Sequence, residues 1–401
     1  MPAPSADHSP SASPAPPPAS SLARFALLLA ASFLGVGVTL PFLPPFLAGK
    51  GLGAEAVSQI LFAGSLIRFV VSPALGRLAD RMGDARLLLI PCAGLAALAA
   101  PLLLPAQGFW SVLAVQLLFA AAMSPLSPVG EAMTLAATRR AGVDYGRIRA
   151  AGSASFILGA VAAGMMASWA GYAAVPWLLA GCYCGVLLAA WALPRPERVG
   201  PPPVRAGRGG LRGFFALHLL RRPGFGRLIC ISALIQGSHG AYYGFSSIHW
   251  SRAGHSAETI GLLWAEGVLA EVLLFYWARP LLGRLSPRGH MLLAAGAGIL
   301  RWTALSTTTE LWALVPLQAV HALTFGVQYM GAMRWLSGNP PPGEALAAQS
   351  LHAALGTTGA QACAILLAGW LYARFGSGAF MAMAVLCAVA LPVAWRWRAG
   401  R

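Results

Sequence analysis

Six ionisable residues interrupt long apolar runs in this sequence: Glu131, Arg149, Glu266, Glu271, Arg301 and His321. A charged side chain at the centre of a bilayer costs about 2.5 kcal/mol even on the most lenient scales, so each needs a partner or a water-lined cavity. Groups of this kind mark substrate and proton pathways. Glu131 lies eight residues before Arg139, about 12 Å along a helix, and Arg149 five after Asp144, about 7.5 Å. Both therefore enter the apolar layer, where each is the other's obvious partner. Glu266 and Glu271, five apart, point to helix faces about 140° apart. By depth, Glu271 is the first choice to pair with Arg301, and His321 falls near the middle of its own run. Making and breaking a Glu–Arg contact lets a carboxylate take up or release one proton. The chemistry expected is proton carriage, with Glu266, Glu271, Arg301 and His321 as the coupling group.

A second set is polar and aromatic. Gln236, His239 and Tyr242 stand at i, i+3 and i+6, with Tyr243 beside them, and Trp264 lies in the next run. Their place in mid-run favours a cavity lining over an interfacial belt. With Glu131 and Arg149 they make the candidate substrate-binding set. Arg68, His352, Gln328, Gln349 and Gln361 could line the same cavity, although ordinary interhelical hydrogen bonds would explain each of them as well.

The elements that hold these residues follow from composition. The 401 residues are 57% hydrophobic and 10% charged, with a mean hydropathy of +0.67. A soluble chain needs far more surface charge. Apolar runs of membrane-crossing length recur at about 22–48, 54–79, 85–105, 108–137, 147–170, 172–193, 224–250, 257–281, 288–306, 310–336, 344–372 and 376–396. An all-α membrane protein with twelve transmembrane helices is expected. Residues 1–21, rich in Pro, Ala and Ser, read as a disordered tail. Residues 22–194 and 224–397 form two six-helix bundles, joined by a basic, Pro/Gly-rich loop at 195–223. "GRLADRMGDARLLL" from Gly76 is echoed by "GRLSPRGHMLL" from Gly283 at the same place in each half, which suggests two pseudo-repeats with a binding site between them.

The net charge of +16 has a topological explanation. Most arginines, among them Arg77, Arg81, Arg86, Arg139, Arg140 and Arg147, fall on one set of alternate loops. The opposite loops hold little beyond Lys50, Arg252 and Arg374. Positive charge collects on the cytoplasmic side, so both termini are expected there, and no nucleic-acid partner is implied. The six cysteines all lie in apolar runs and indicate neither a disulfide frame nor a metal site. No phosphate-binding loop or hydrolytic constellation is present, so neither an enzyme nor a cofactor is expected.

"GRLADRMGDAR" resembles the loop-two signature of the major facilitator superfamily, with Gly76, Asp80, Arg81 and Gly83 in its conformational gating loop. Asp84 departs from the basic residue usual in the family. "EAMTLAATRRAGVDYGRIRAAGS" resembles the loop between helices four and five in the lactose permease branch, which implies substrate roles for Glu131 and Arg149. "SPLSPVGEA", "VDYGRIRAAGS" and "IQGSHGAYYGFSSIHWSRAGHSAETIGLLWAEGVLAEVLLF" resemble the 3-phenylpropionate/proton symporter subfamily, with Glu131 in place of an aspartate. The resemblance implies a major facilitator fold and alternating access. It also implies a multi-pass protein of the bacterial inner membrane, embedded in lipid and working as a monomer, that imports an aromatic carboxylate with protons, driven by the proton gradient. Arg149 or Arg301 would hold the anion and the aromatic side chains its ring. Carboxylate, arginine and histidine on helices eight, nine and ten also resemble the coupling network of lactose permease, except that Thr324 stands where that family has a carboxylate. A sugar/proton symporter is the alternative. Drug efflux and a non-transporting receptor fit the segments less well.

Overall fold

A hydrophobic segment in lipid must satisfy its backbone hydrogen bonds internally, and these runs do so as helices. The computed structural model describes residues 19–195, 217–340 and 344–397. Grouped across their internal turns, the described helices make twelve long segments. In the first half these are α1 (Ala19–Gly49), α2 (Ala54–Met82), α3 (Arg86–Leu102), α4 (Gly108–Met123 with Leu126–Ala141), α5 (Tyr145–Ala170) and α6 (Ala174–Ala192). The second half has α7 (Pro223–Gly237 with Gly240–Arg252), α8 (Ala257–Leu273 running on to Leu282), α9 (Pro287–Thr307), α10 (Leu311–Ala319, continued to Gly338), α11 (Ala345–Leu351, continued to Phe375) and α12 (Gly378–Trp395). Nine of the described segments are long and apolar enough to cross a membrane on those grounds alone. Of the other three, α3 is a 17-residue apolar helix, while α7 and α9 carry the polar residues of the candidate site. Residues 1–18 of the expected tail and 196–216 of the expected loop lie outside the described residues. Leu217–Arg221 forms a single 3-10 turn ahead of α7.

Local chemistry sets the ends. Gly83 and Gly142 take left-handed conformations, with φ of 69° and 66°, as they terminate α2 and the second part of α4. Asp144 caps α5 by accepting from the Gly146 amide at 2.9 Å, and Ser256 and Ser286 cap α8 and α9 in the same way. Exposed tryptophans gather near helix ends, with Trp110, Trp169 and Trp312 at one face and Trp191 and Trp395 at the other. This is the pattern of two membrane interfaces. Both described ends of the chain lie on the latter face, called the termini side below.

Within the first half, α1 and α5 cross at backbone contact. A Cβ on Gly37 would strike the Phe156 carbonyl, and one on Gly159 the Leu34 carbonyl. The echoed turns of the two halves are each tied to a neighbouring helix by an arginine. Arg86 donates to the Leu193 carbonyl at 2.9 Å, and Arg334 donates to the carbonyls of Gly283 and Leu285 at 2.6 and 2.8 Å.

Candidate functional site

The second half is organised around Arg301, which is fully buried. Its expected ion pair with Glu271 does not form. Instead Nε donates to the Leu317 carbonyl at 3.1 Å, Nη2 to Gln318 Oε1 at 3.1 Å, and Nη1 to His321 Nδ1 at 3.0 Å. The guanidinium also lies 4.6 Å from the ring centroids of Tyr242 and Trp302. α9 brings Arg301 against α10 at the depth of Gln318 and His321, one turn apart, so neutral acceptors reach it before any carboxylate can. Arginine only donates, so His321 Nδ1 must accept and its proton sits on Nε2. Thr324 extends the chain, lying 3.4 Å from Arg301 Nη1 and 3.1 Å from His239 Nε2. His239 Nδ1 donates to the Ile235 carbonyl at 3.1 Å, so its Nε2 is an acceptor, and it shares the single Thr324 hydroxyl proton with the His321 carbonyl, also 3.1 Å from that oxygen. Tyr242 donates to Gln318 Oε1 at 2.9 Å.

This packing changes the standing of the aromatic and polar set. Gln236, His239, Tyr242 and Trp264 are buried inside the second half, and Tyr243 alone of the five is partly exposed. Gln236 donates to Gln328 at 2.6 Å and accepts from Gln361 at 3.3 Å. Gln328 and His352 both meet Ser232. Of the side candidates, Gln328, Gln361 and His352 thus belong to this internal ladder. α7 is broken at Ser238–His239, where Ser238 Oγ accepts from the Trp302 indole at 2.8 Å.

Two of the other charged residues pair within the first half. Arg149 and Glu131 form the expected ion pair at 3.5 Å, each about one-third exposed, with the guanidinium 4.0 Å from the Phe33 ring. From the second half, Glu271 lies within electrostatic reach of Arg149, and Tyr329 within reach of Glu131, Arg149 and Glu271. Glu271 packs on α10 at Gly326, where an added Cβ would lie 3.5 Å from its Cγ. Neither Glu266 nor Glu271 makes a side-chain hydrogen bond among the described residues.

The hydrogen bonds and ion pair that join the halves, among the described residues, are all on the side away from the termini. They are Tyr172 to Ser251 at 3.4 Å, the Glu258 amide to Ser168 at 2.9 Å, and Arg374 to Glu55 at 2.5 Å. Backbones touch in the same region. A Cβ on Gly164 would lie 2.6 Å from the Ala257 carbonyl oxygen, and one on Gly261 2.5 Å from that of Ala160. The molecule is sealed at the far side, while Glu131, Arg149 and Tyr329 keep exposed surface towards the termini side.

The loop-two motif behaves only partly as expected. Gly83 makes the left-handed turn, but a Cβ on Gly76 would meet nothing within 4 Å, so no close approach of helices depends on it here. Asp80 is exposed and pairs with no arginine among the described residues. The pairing falls to Asp84, which accepts from Arg86 Nη2 at 2.6 Å and from its backbone amide at 3.0 Å. Those bonds hold the Asp84 carboxyl below the usual carboxylate range. A cavity of about 1870 Å³ opens beside this motif, lined from α1, α2, α3, α4 and α6, and neither Glu131, Arg149, Glu271 nor Tyr329 lines it. Sequence reasoning missed Gln318 and Tyr329, and noted Thr324 only as a missing carboxylate. An uncharged residue gives no signal in an apolar run until its neighbour on another helix is known.

Comparison with known proteins agrees with this architecture. Residues 22–383 match the model of the MFS_1 like family. The chain is 33% identical over 366 residues to the Escherichia coli protein named "Probable 3-phenylpropionic acid transporter", covering 90% of this chain and 93% of that one. It is 25% identical to a maltose permease of Geobacillus stearothermophilus over 89% of each chain. The crystal structure of the nucleoside transporter NupG superposes with a TM-score of 0.76 at 14% identity, over 94% of this chain and 98% of that one.

Proposed function

The chain belongs to the MFS_1 like family of major facilitator transporters, and from that premise we propose that it imports an aromatic carboxylate such as 3-phenylpropionate together with protons. It does so by alternating access in the bacterial inner membrane, as a monomer with both termini in the cytoplasm. The far-side seal and the exposed residues on the termini side then correspond to an inward-facing state. The E. coli relative supports the substrate class.

One observation carries the coupling. Glu131 is ion-paired with Arg149 at 3.5 Å, whereas Glu271 of the other half feels the Arg149 charge without pairing to it or to any other cation among the described residues. One cation neutralises one of them, and the other is neutral only when it carries a proton. Glu131 holds the ion pair, so Glu271 is the proton carrier, with Glu266 on another face of α8 as a second candidate. Closure on the termini side brings Glu271 closer to Arg149 and favours proton release. Arg301 acts by orienting His321, whose accepting Nδ1 is protonated only if the bond from Arg301 is given up. Gln236, His239, Tyr242 and Trp264 form the wall behind Tyr243, the aromatic surface offered to a ring.

Sugar symport is the second reading. The Glu131–Arg149 pair could bind hydroxyls, and the relative named as a maltose permease favours it. Uptake of labelled 3-phenylpropionate and of a sugar panel in energised vesicles separates the two readings. Gradient-dependent uptake of the acid, abolished in E271Q, is expected. Uptake of a sugar and not of the acid would overturn the substrate assignment.

A further inference from the structure

We propose that Arg68 on α2 is the anchor for the substrate carboxylate, an assignment that rests on the aromatic-carboxylate reading above. The other arginines of the transport path are committed. Arg149 is paired with Glu131, and each nitrogen of Arg301 has an acceptor inside the second half. Arg68 lies in the middle of an apolar helix, and its bonds reach only its own helix. Nε donates to the Gly64 carbonyl at 3.3 Å and Nη2 to Ser65 Oγ at 3.2 Å. Nη1 has no hydrogen-bond acceptor, and no carboxylate forms an ion pair with Arg68, among the described residues. An intramembrane guanidinium with a free donor and no ion pair has the chemistry to bind an anion.

The surroundings fit a carboxylate. Arg68 lines a cavity of about 60 Å³ with Thr39, Ser65, Gln116 and Tyr243, and no acidic side chain lines it among the described residues. Gln116 is 5% exposed, and its Oε1 has no hydrogen-bond partner. Because Oε1 is sealed within the protein, the amide end turned to a ligand is its Nε2 donor. One carboxylate oxygen would then accept from Arg68 Nη1 and the other from Gln116 Nε2. A carboxylate would satisfy the Arg68 donor that the protein leaves unsatisfied. The cavity has room for about two waters, which suits a carboxylate head and excludes a benzene ring. The ring falls instead against Tyr243, which also lines the cavity and is backed by Trp264 at 6.0 Å and His239 at 5.8 Å, both stacked. The ligand class is therefore an arylalkanoate, with a short chain between the ring and the charge.

The test uses the full chain purified in detergent and isothermal titration with 3-phenylpropionate and with its neutral amide. Wild type should bind the acid more tightly than the amide. R68Q should lose on the order of 10- to 100-fold in affinity for the acid, the worth of a charge-assisted hydrogen-bond pair, while amide affinity stays within about threefold. R68K, which keeps the charge but not the fork, should lose roughly tenfold for the acid alone and serves if R68Q does not fold. Q116L should weaken acid binding severalfold. An R68Q or R68K protein that binds the acid as wild type does, or loses acid and amide alike, would overturn the role of Arg68 and leave the substrate class standing. A wild type that binds neither arylalkanoate nor other carboxylates would overturn both.

Discussion

Adding one methyl group at Gly261 should push the protein away from the far-side-sealed state. The Cβ of G261A would lie 2.5 Å from the Ala160 carbonyl oxygen and 3.3 Å from Gly164 Cα. That oxygen belongs to backbone and cannot rotate aside, so α5 and α8 must separate by about 1 Å to restore ordinary contact. Overpacking of this kind costs about 1–3 kcal/mol. The contact runs between the halves and is absent when they part on that side, so the cost falls on one state alone. At 1.4 kcal/mol per decade the equilibrium should move by about 5- to 150-fold towards far-side opening. The assay is pulsed electron paramagnetic resonance between spin labels at Ala173→Cys and Glu310→Cys, both exposed at the far side, with the native cysteines replaced. A longer distance should appear or grow in G261A. Gly159→Ala is the control, because its added Cβ would strike Leu34 within the first half. It should lower the unfolding temperature without changing the distance distribution. The reasoning fails if G261A gives the wild-type distribution, or if both variants shift it equally.

Three further outcomes are expected. E55Q removes the far-side ion pair with Arg374, but both side chains are nearly half exposed, so the same labels should report less than about a fivefold shift. Thr324→Ala deletes the hydroxyl between Arg301 and His239 and should cost about 1–3 kcal/mol, read as a fall in unfolding temperature in detergent. Asp84 is held below its ordinary range by Arg86, so its contribution to stability is full above the unfolded value near pH 4 and is lost as pH falls through the lower folded value. The difference in unfolding temperature between wild type and D84N should therefore be constant from pH 7 to about 5 and shrink below about 4.

The runs of apolar residues located the helices well because the solvent acts on every residue of a span alike. The expected α5 at 147–170 and the observed Tyr145–Ala170 differ only by the cap at Asp144. The Glu131–Arg149 pair was legible for a related reason, since two opposite charges at matching depth have few other choices. Arg301 was misassigned because depth fixes only one coordinate. Which face of α10 turns towards α9 is set by packing, and it delivered His321 and Gln318 instead of Glu271. The burial of Gln236, His239, Tyr242 and Trp264 was hidden similarly, because a polar stripe looks the same whether it faces water or another polar stripe. For Arg68 the signal lay in an absence of partners, which only three-dimensional neighbours can reveal.

Three helices of the second half contain π-helical turns, at Leu274–Ala278, Ala322–Val327 and His352–Gly359. Such a turn holds one residue more than an α-helical turn, with looser hydrogen bonding. It can migrate along a helix as a dislocation migrates through a crystal, changing the phase of the side chains beyond it while the rest of the helix stays intact. The described residues of the first half contain none, and there α1 and α5 are locked at backbone contact through Gly37 and Gly159. The second half has a matching backbone crossing of α7 on α11 at Gly240, where an added Cβ would lie 2.6 Å from the Ala364 backbone, so what sets the halves apart is the π turns of α8, α10 and α11. Glu271, His321 and Thr324 stand at or within a turn of the soft joints, so changes of register there would rotate these groups relative to Arg149 without moving the first half at all.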